Sequence, residues 1–255
     1  MTEYMSETEY LSGKTCVITG ASRGIGAEIA KDLGYHGANV VVNYRSSERE
    51  ALDVTEGIEA EGNSAIAIQA DVTNREEVDE MEERVRDTFG PADVLVNNAG
   101  ITVDRTFKNM TREDWDHVVN VNLGGVFNCT KAFYDDIKES PQGRLINISS
   151  VVGQQGNYGQ ANYATTKSGI FGFTRTLALE LANSGSTVNC VAPGFTKTDM
   201  LADVDGEIQD KIRNRIPLNR FAEVEDVSGV VRFLASKESS YMTGQILGIN
   251  GGMEW

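Results

Sequence analysis

Short runs of β-branched and aliphatic residues alternate along the chain with longer amphipathic stretches. Thr15–Thr19, Asn39–Asn43, Ala65–Ala70, Asp93–Asn97, Arg144–Ile148, Thr187–Ala192 and Gln245–Ile249 read as strands. Between them, Ala27–Tyr35, Glu48–Ala60, Glu76–Phe89, Glu113–Lys138 and Ala161–Ala182 carry helical signals, several opened by Ser, Thr or Asn and closed near a glycine. Strands that are apolar throughout are buried on both faces, and every parallel crossover lays a helix on the sheet. The pattern predicts an α/β fold, a doubly wound parallel sheet of about seven strands flanked by helices. No repeat or linker interrupts it. The least regular segment, Thr196 to Pro217, follows the sixth strand and is placed to close over a ligand.

Composition narrows the class. A chain of 255 residues with 40% hydrophobic content suits one compact domain, taken as 11–255 after a polar N-terminal extension, 1–10. The first ten residues are acidic and polar where a signal peptide is basic and then apolar, and no run approaches a membrane span, so a cytoplasmic location is expected. Cys16, Cys129 and Cys190 sit in apolar runs at no metal-ligand spacing, which fits core packing. His36 and His117 stand apart without neighbouring ligand types, so no metal site is expected, and both read as helix-end or surface residues. A net charge of −15 leaves no basic footprint for nucleic acid or an anionic membrane. That acidity suits a protein working at very high salt, where screening relieves carboxylate repulsion, although an ordinarily acidic bacterial protein has the same signature.

Directly after the first strand comes Thr19-Gly20-Ala21-Ser22-Arg23-Gly24-Ile25-Gly26, and then a helix. Glycines there permit a tight turn and let a pyrophosphate approach backbone N–H groups at the positive end of the helix. The spacing departs from G-x-G-x-x-G, so position carries the argument: strand before, helix after, at the start of the sheet. The fold is thus of Rossmann type, with Gly20, Ser22, Arg23, Gly24, Ile25 and Gly26 as cofactor candidates. Selection of NAD would use an acidic residue at the end of the second strand, roughly 20 residues on. Asn43-Tyr44-Arg45-Ser46 stands there instead, and Arg45, with Arg23, can pair with a 2′-phosphate. NADP (NADPH) is the expected cofactor, with a solvated loop cation as the other reading of Arg45.

Tyr163 and Lys167 lie four apart on a helical stretch and therefore share a face. An ammonium beside a phenol stabilises the phenolate, lowering a pKa that is about 10 in isolation. Together with the glycine turn, Asn97-Asn98-Ala99-Gly100, Asn122, Ser150 and Pro193-Gly194, this pair resembles the short-chain dehydrogenase/reductase family from about Leu11 to Gly252. The resemblance implies Tyr163 as general acid in ketone reduction and Ser150 as a hydroxyl on the substrate oxygen. It implies Lys167 as a ligand of the nicotinamide ribose and Asn122 as holder of a relay water. Ser149 is the rival of Ser150, and the family's spacing of about 13 positions before the tyrosine favours Ser150. By the same resemblance Asp71 and Val72 border the adenine, Asn98, Ala99 and Gly100 the adjoining ribose, and Pro193, Gly194, Thr196 and Thr198 the nicotinamide. Asp71 also reads as a turn residue.

Asn147 to Gly153, Gly159 to Tyr163 and Gly248 to Gly252 resemble the 3-oxoacyl thioester reductases. Gln154 and Gln160 resemble residues near the thioester in acetoacetyl-CoA reductases of polyhydroxybutyrate synthesis, and otherwise belong to a polar surface loop. Reduction of acetoacetyl-CoA to 3-hydroxybutyryl-CoA is the first expectation. The alternatives are 3-oxoacyl-[acyl-carrier-protein] reduction in fatty acid synthesis, a sugar or alcohol dehydrogenase, and a nucleotide-sensing binder, which would gain nothing from the Asn122, Ser150, Tyr163 and Lys167 set. The family usually forms tetramers, so a homotetramer is expected through Glu113–Lys138, Ala161–Ala182 and Tyr241–Trp255, with Phe171, Phe173 and Leu177 serving the interface or the core.

The cofactor assignment generates a direct test. A charge-assisted pair between an arginine and a phosphate is worth roughly 1.5–3 kcal/mol, or about ten- to a hundred-fold in affinity. Arg45→Asp should weaken NADPH by that factor at fixed ionic strength and spare or improve NADH, read by fluorescence titration. Equal losses for both cofactors would remove Arg45 from phosphate recognition.

Overall fold

The computed structural model describes residues 10–198, 201 and 205–254. Positions 1–9 of the N-terminal extension, five positions of the irregular segment (199, 200 and 202–204) and Trp255 of the expected tetramer contact lie outside the described residues. The strands are β1 (Thr15–Ile18), β2 (Asn39–Tyr44), β3 (Ala65–Gln69), β4 (Val94–Asn97), β5 (Arg144–Ile148), β6 (Thr187–Pro193) and β7 (Ile246–Ile249). They form one sheet in the order β3-β2-β1-β4-β5-β6-β7, every pairing parallel. Its helices are α1 (Gly24–Tyr35), α2 (Glu48–Ala60), α3 (Arg75–Phe89), α4 (Arg112–Val119), α5 (Gly125–Ala132), α6 (Tyr134–Glu139), α7 (Val152–Gln155), α8 (Ala161–Leu181), α9 (Gly206–Arg213) and α10 (Val224–Ala235).

The unbroken apolar strands are explained by two cores, one on each face. Because successive strand side chains point to opposite faces, Cys16 and Ile18 join Val40, Val42, Val94 and Val96 under α1 and α10, through Ile29, Leu33, Val227 and Val231. Their neighbours Val17, Val41, Leu95 and Leu145 join Val78, Met81 and Val85 of α3 and Phe133 on the other face. Each fully buried side chain of this size contributes about 1.5–3 kcal/mol, so a polar residue on either face is costly. All three cysteines are buried free thiols, as expected.

The register aligns Val17 with Val41 on one side and Leu95 on the other. Chain connections then depart in opposite directions from β1 and β4, which opens a crevice at their carboxyl ends. The candidate cofactor turn and the candidate catalytic residues collect along that edge.

The structure departs from the sequence reading in four places. Glu113–Lys138 is not one helix: α4 passes through a π turn at Asn120–Gly124 into α5, and the chain breaks at Phe133 (φ −90°, ψ 5°) before α6. The π turn carries Asn122, whose side chain is held by the Ile101 backbone, and periodicity does not register one extra residue in a turn. Helix α9 forms inside the segment read as irregular, and the one-turn α7 is too short for periodicity to register. Helix α10 escaped because Glu223, not Ser, Thr, Asp or Asn, opens it, through a capping box with Asp226.

The far end of α10 is closed by Arg144, 1% exposed, whose guanidinium donates to the Ser236 carbonyl at 3.3 and 3.2 Å and to the Gly143 carbonyl at 2.9 Å. A buried cation is tolerated there because it faces the negative end of a helix. His36 ends α1, its Nδ1 2.7 Å from the Asp32 carbonyl and its Nε2 2.6 Å from Arg232 Nη1. It is a helix-end residue as read, though buried; His117 is exposed.

Gly143 is tightly enclosed: a Cβ there would stand 1.8 Å from the Ile137 carbonyl oxygen and 2.6 Å from Ser186 Oγ. The obstacle is backbone and cannot rotate away. Gly143→Ala should destabilise by about 1–3 kcal/mol or more, lowering Tm by roughly 3–10 °C in calorimetry. An unchanged Tm would contradict the packing described at this corner.

Candidate active site

The glycine turn is held open by contacts that a side chain would fill. Gly20 (φ +61°) turns sharply off β1, and a Cβ on it would approach Ala99 Cα to 2.9 Å. A Cβ on Gly26 would stand 2.4 Å from Asn98 Nδ2. That amide donates to the carbonyls of Thr19 (2.9 Å) and Gly20 (3.0 Å), while Thr19 Oγ1 accepts from the N–H groups of Asn98 and Ala99, both at 3.0 Å. The two strand ends flanking the crevice are thereby tied together. Helix α1 begins at Gly24 (φ +58°), with no capping side chain on Arg23 and no acidic residue in its first turn. Its N–H groups therefore keep their capacity for an anion, which fits a dinucleotide pyrophosphate.

Around this turn the expected cofactor residues divide into two kinds. Arg23, Arg45 and Ser46 are exposed, and Ser22 and Ile25 half-buried, so they can reach a ligand; the Arg45 carbonyl is anchored by Gln69 Nε2 at 2.9 Å. Asn43 is 1% exposed and serves the scaffold instead: its Oδ1 accepts from Gly20 N–H at 3.2 Å and its Nδ2 donates to the Ala70 carbonyl at 3.0 Å. Tyr44 is likewise buried. Asp71 Oδ1 accepts from Thr73 N–H (2.9 Å) and Oγ1 (2.7 Å), the turn-residue reading, and the Val72 carbonyl is held by Asn128 Nδ2 at 2.9 Å. Glu77, which accepts from Asp71 N–H at 2.7 Å, and Asn128 were absent from the sequence reading because no motif marks a residue that acts on another's backbone.

The chemical group lies one strand further along the same edge. Ser150 follows β5, and Tyr163 and Lys167 project from the first two turns of α8. Ser149 is committed elsewhere, its hydroxyl donating to the Lys167 carbonyl at 2.7 Å, which leaves Ser150 beside Tyr163. Burial pushes the Tyr163 phenol up to about 12, the Ser150 hydrogen bond pulls it back, and Asp104 opposes ionisation further. Lys167, 4% exposed, has its Nζ 2.9 Å from the Ile148 carbonyl and 5.6 Å from the Tyr163 ring centroid, and burial lowers it to about 8. The lowered tyrosine pKa anticipated from i, i+4 spacing is thus reversed here. Spacing measures proximity along a helix, not the cost of burying a phenolate.

Asn122 is fully buried, with Oδ1 accepting from Ile101 N–H at 2.9 Å and Nδ2 donating to the Ile101 carbonyl (3.0 Å) and Thr166 Oγ1 (3.1 Å). Both amide hydrogens are consumed, so the side chain braces the loop against α8 and keeps a single lone pair for any water. A Cβ on Gly100 would meet Asn122 Oδ1 at 3.3 Å and Lys167 Nζ at 3.4 Å, which puts the glycine at the heart of the group. Of the substrate candidates, Gln154 is exposed near Gly248, while Gln160 is engaged by Asp104 and Asn157. Gly194 lies against Asn250 and Thr196 Oγ1 donates to the Gly194 carbonyl at 3.2 Å; Pro193 closes β6, and Thr198 faces Gly24.

Two clefts border this edge. One, of about 440 Å³, is lined by Arg23, Gly24 and Thr198 beside the glycine turn. The larger, about 460 Å³, opens between Gly194, Leu218 and Gly248 and does not include Ser150, Tyr163 or Lys167, so polar convergence rather than size locates the chemistry. A glycine turn at the switch point with a buried serine and lysine and a half-buried tyrosine beside it fits an oxidoreductase.

Comparison with known proteins makes the class specific. A family model described as "Enoyl-(Acyl carrier protein) reductase" matches residues 20–254. The chain is 48% identical over 240 residues to the 3-oxoacyl-[acyl-carrier-protein] reductase FabG of Staphylococcus epidermidis, covering 94% of this chain and 98% of that protein. It is 47% identical over 240 residues to FabG of Staphylococcus aureus, with the same coverage, 94% and 98%. It is 48% identical over 244 residues to the 3-oxoacyl-[acyl-carrier-protein] reductase of a Synechocystis species, covering 95% and 98%. The chain belongs to the short-chain dehydrogenase/reductase family and is an oxidoreductase acting on a CH–OH group.

The proton inventory of the site predicts its pH profile. Lys167, lowered to about 8, loses its charge before Tyr163, raised to about 12, loses its proton. The kcat/KM for reduction should therefore fall as pH rises through about 8 in stopped-assay rates, because the charge that favours the departing proton disappears. A profile flat to pH values well above that limb would separate Lys167 from the reaction.

Proposed function

We propose that the protein reduces 3-oxoacyl thioesters to 3-hydroxyacyl thioesters with NADPH, the acyl group being presented on acyl-carrier protein. The observation that carries the reading is the convergence of buried Ser150 and Lys167 on the half-buried Tyr163 beside the glycine turn. Tyr163 keeps its proton at neutral pH, as a general acid must, and gives it to the carbonyl oxygen as that atom becomes an alkoxide. The Ser150 hydroxyl donates to the same oxygen, and the Lys167 ammonium stabilises the phenolate left behind. The nicotinamide cofactor supplies hydride when bound; Gly20, Ser22, Gly24 and Gly26 would take its pyrophosphate, Arg45 and Arg23 its 2′-phosphate, and Lys167 its nicotinamide ribose.

The carrier is read from the relatives, which are named for acyl-carrier-protein substrates, and this displaces acetoacetyl-CoA as the first choice. The glutamine argument for coenzyme A also weakens, because Gln160 is already engaged within the protein. A homotetramer remains our reading of the assembly. It is supported by Phe127 on α5 and Leu179 on α8, which are exposed, whereas Phe171, Phe173 and Leu177 pack against the cores. No helix among the described residues is long and apolar enough to cross a membrane.

NADPH oxidation with matched 3-oxobutyryl thioesters of acyl-carrier protein and coenzyme A tests both parts. Turnover should be greater on the protein carrier, and Tyr163→Phe should lose roughly 10²–10⁴-fold in kcat while NADPH affinity stays within a few-fold. Faster reduction of the coenzyme A ester would return the carrier to acetoacetyl-CoA, and near wild-type activity in the variant would overturn the acid assignment.

A further inference from the structure

Residues 102–105 lie across the start of α8, fastened by polar contacts. Arg105 N–H donates to the Gly159 carbonyl at 2.8 Å, and Asn162 Nδ2 donates to the Val103 carbonyl at 3.1 Å. Gln160 Nε2 donates to both carboxylate oxygens of Asp104, at 2.9 and 3.0 Å, while the Thr102 hydroxyl donates to Asp104 Oδ1. Gln160 is the residue from which α8 starts, yet its side chain does not cap the helix. Its amide is spent on Asp104 and its Oε1 accepts from Asn157 Nδ2 at 2.9 Å. Three residues on stands Tyr163, whose N–H donates to Asn162 Oδ1 at 2.8 Å, and Asn162 is fully buried.

A helix start without its own cap takes its direction from whatever holds the preceding residue. From these contacts we infer that Asp104 is a positioning residue for the reaction, seating Gln160 and with it the first turn of α8, so that Tyr163 meets the substrate carbonyl in register. The inference rests on the reading of Tyr163 as the proton donor. It also changes the role of Gln160 from a substrate contact to the other half of a latch. Three groups bear on the Tyr163 phenol: Lys167 from the same helix, the Ser150 hydroxyl from the loop after β5, and the Asp104 carboxylate from the strap. Asp104 is exposed and its carboxylate bonds to Thr102 and Gln160, so its removal acts on the latch and not on the sheet.

The test is a polarity swap, with Asp104→Ala, Gln160→Glu and the double variant Asp104→Asn with Gln160→Glu. In Asp104→Ala, kcat should fall on the order of ten-fold, the scale of one lost charge-assisted hydrogen bond, with NADPH affinity by fluorescence within about two-fold. Gln160→Glu sets two carboxylates against each other and should lose at least as much. The double variant restores an amide-to-carboxylate bond with donor and acceptor exchanged, and should recover to within roughly three-fold of wild type, since the coupling lies in the pair. Hydrogen exchange of the amides of residues 161–165 should quicken in the single variants and slow again in the double. If the wild-type enzyme reduces no 3-oxoacyl thioester, the functional reading fails while the exchange data still decide the latch. Wild-type kcat and exchange in Asp104→Ala, or a double variant no better than Gln160→Glu alone, would overturn it.

Discussion

The contact on which this molecule turns is the clasp between Thr19 and Asn98, across the place where β1 and β4 send their chains in opposite directions. A doubly wound sheet opens there because its connections leave on different faces, and an unbridged crevice would leave two loops free to drift. Four hydrogen bonds close it, two into the Thr19 hydroxyl and two out of the Asn98 amide. One side of the clasp shapes the glycine turn, with Ala99 against Gly20; the other sets Gly100 beside Asn122 and Lys167. The candidate cofactor turn and the candidate proton-transfer residues thus share one hydrogen-bonded framework. The glycine at position 26 follows from it, since any Cβ would strike the Asn98 amide.

Burial then sets the chemistry. Lys167, on α8, buries its Nζ beside the carboxyl end of β5, where an ammonium is expensive, and donates to the Ile148 carbonyl. The same low-dielectric setting raises Tyr163, so the phenol holds its proton and the lysine sheds its own more readily. In a chain with a net charge of −15, whose carboxylates lie mostly in solvent among the described residues, Lys167 is thus a buried lysine at the candidate site. Asp136 is the exception in the described core, paired with Arg86 and accepting from Ala92 N–H at 2.9 Å.

Much of this architecture was legible along the chain. Residues such as Val40, Val41 and Val42 alternate between two cores, and only a sheet covered on both faces lets all three be valine. The glycine turn was legible from its place between a strand and a helix. Helix α4 to α6 was not, because the π turn at Asn122 and the break at Phe133 arise from contacts with Ile101 and the core, partners distant in sequence. Helix α10 escaped because its capping box uses a glutamate.

Local pattern by itself determined the α/β class, the strand positions and the place of the glycine turn, because each is a property of neighbouring residues; the candidate serine, tyrosine and lysine came from the order of motifs that resembles the family. Only the tertiary structure decided what those residues are bonded to. It assigned Ser149 to the Lys167 carbonyl, made Asn43 and Asn122 braces within the scaffold, and joined Asp104 to Gln160 across 56 positions of sequence. It also set the direction of the Tyr163 shift. Spacing along a helix records which side chains are near one another, whereas hydrogen-bond partners and desolvation depend on every element packed around them, and the fold alone assembles those.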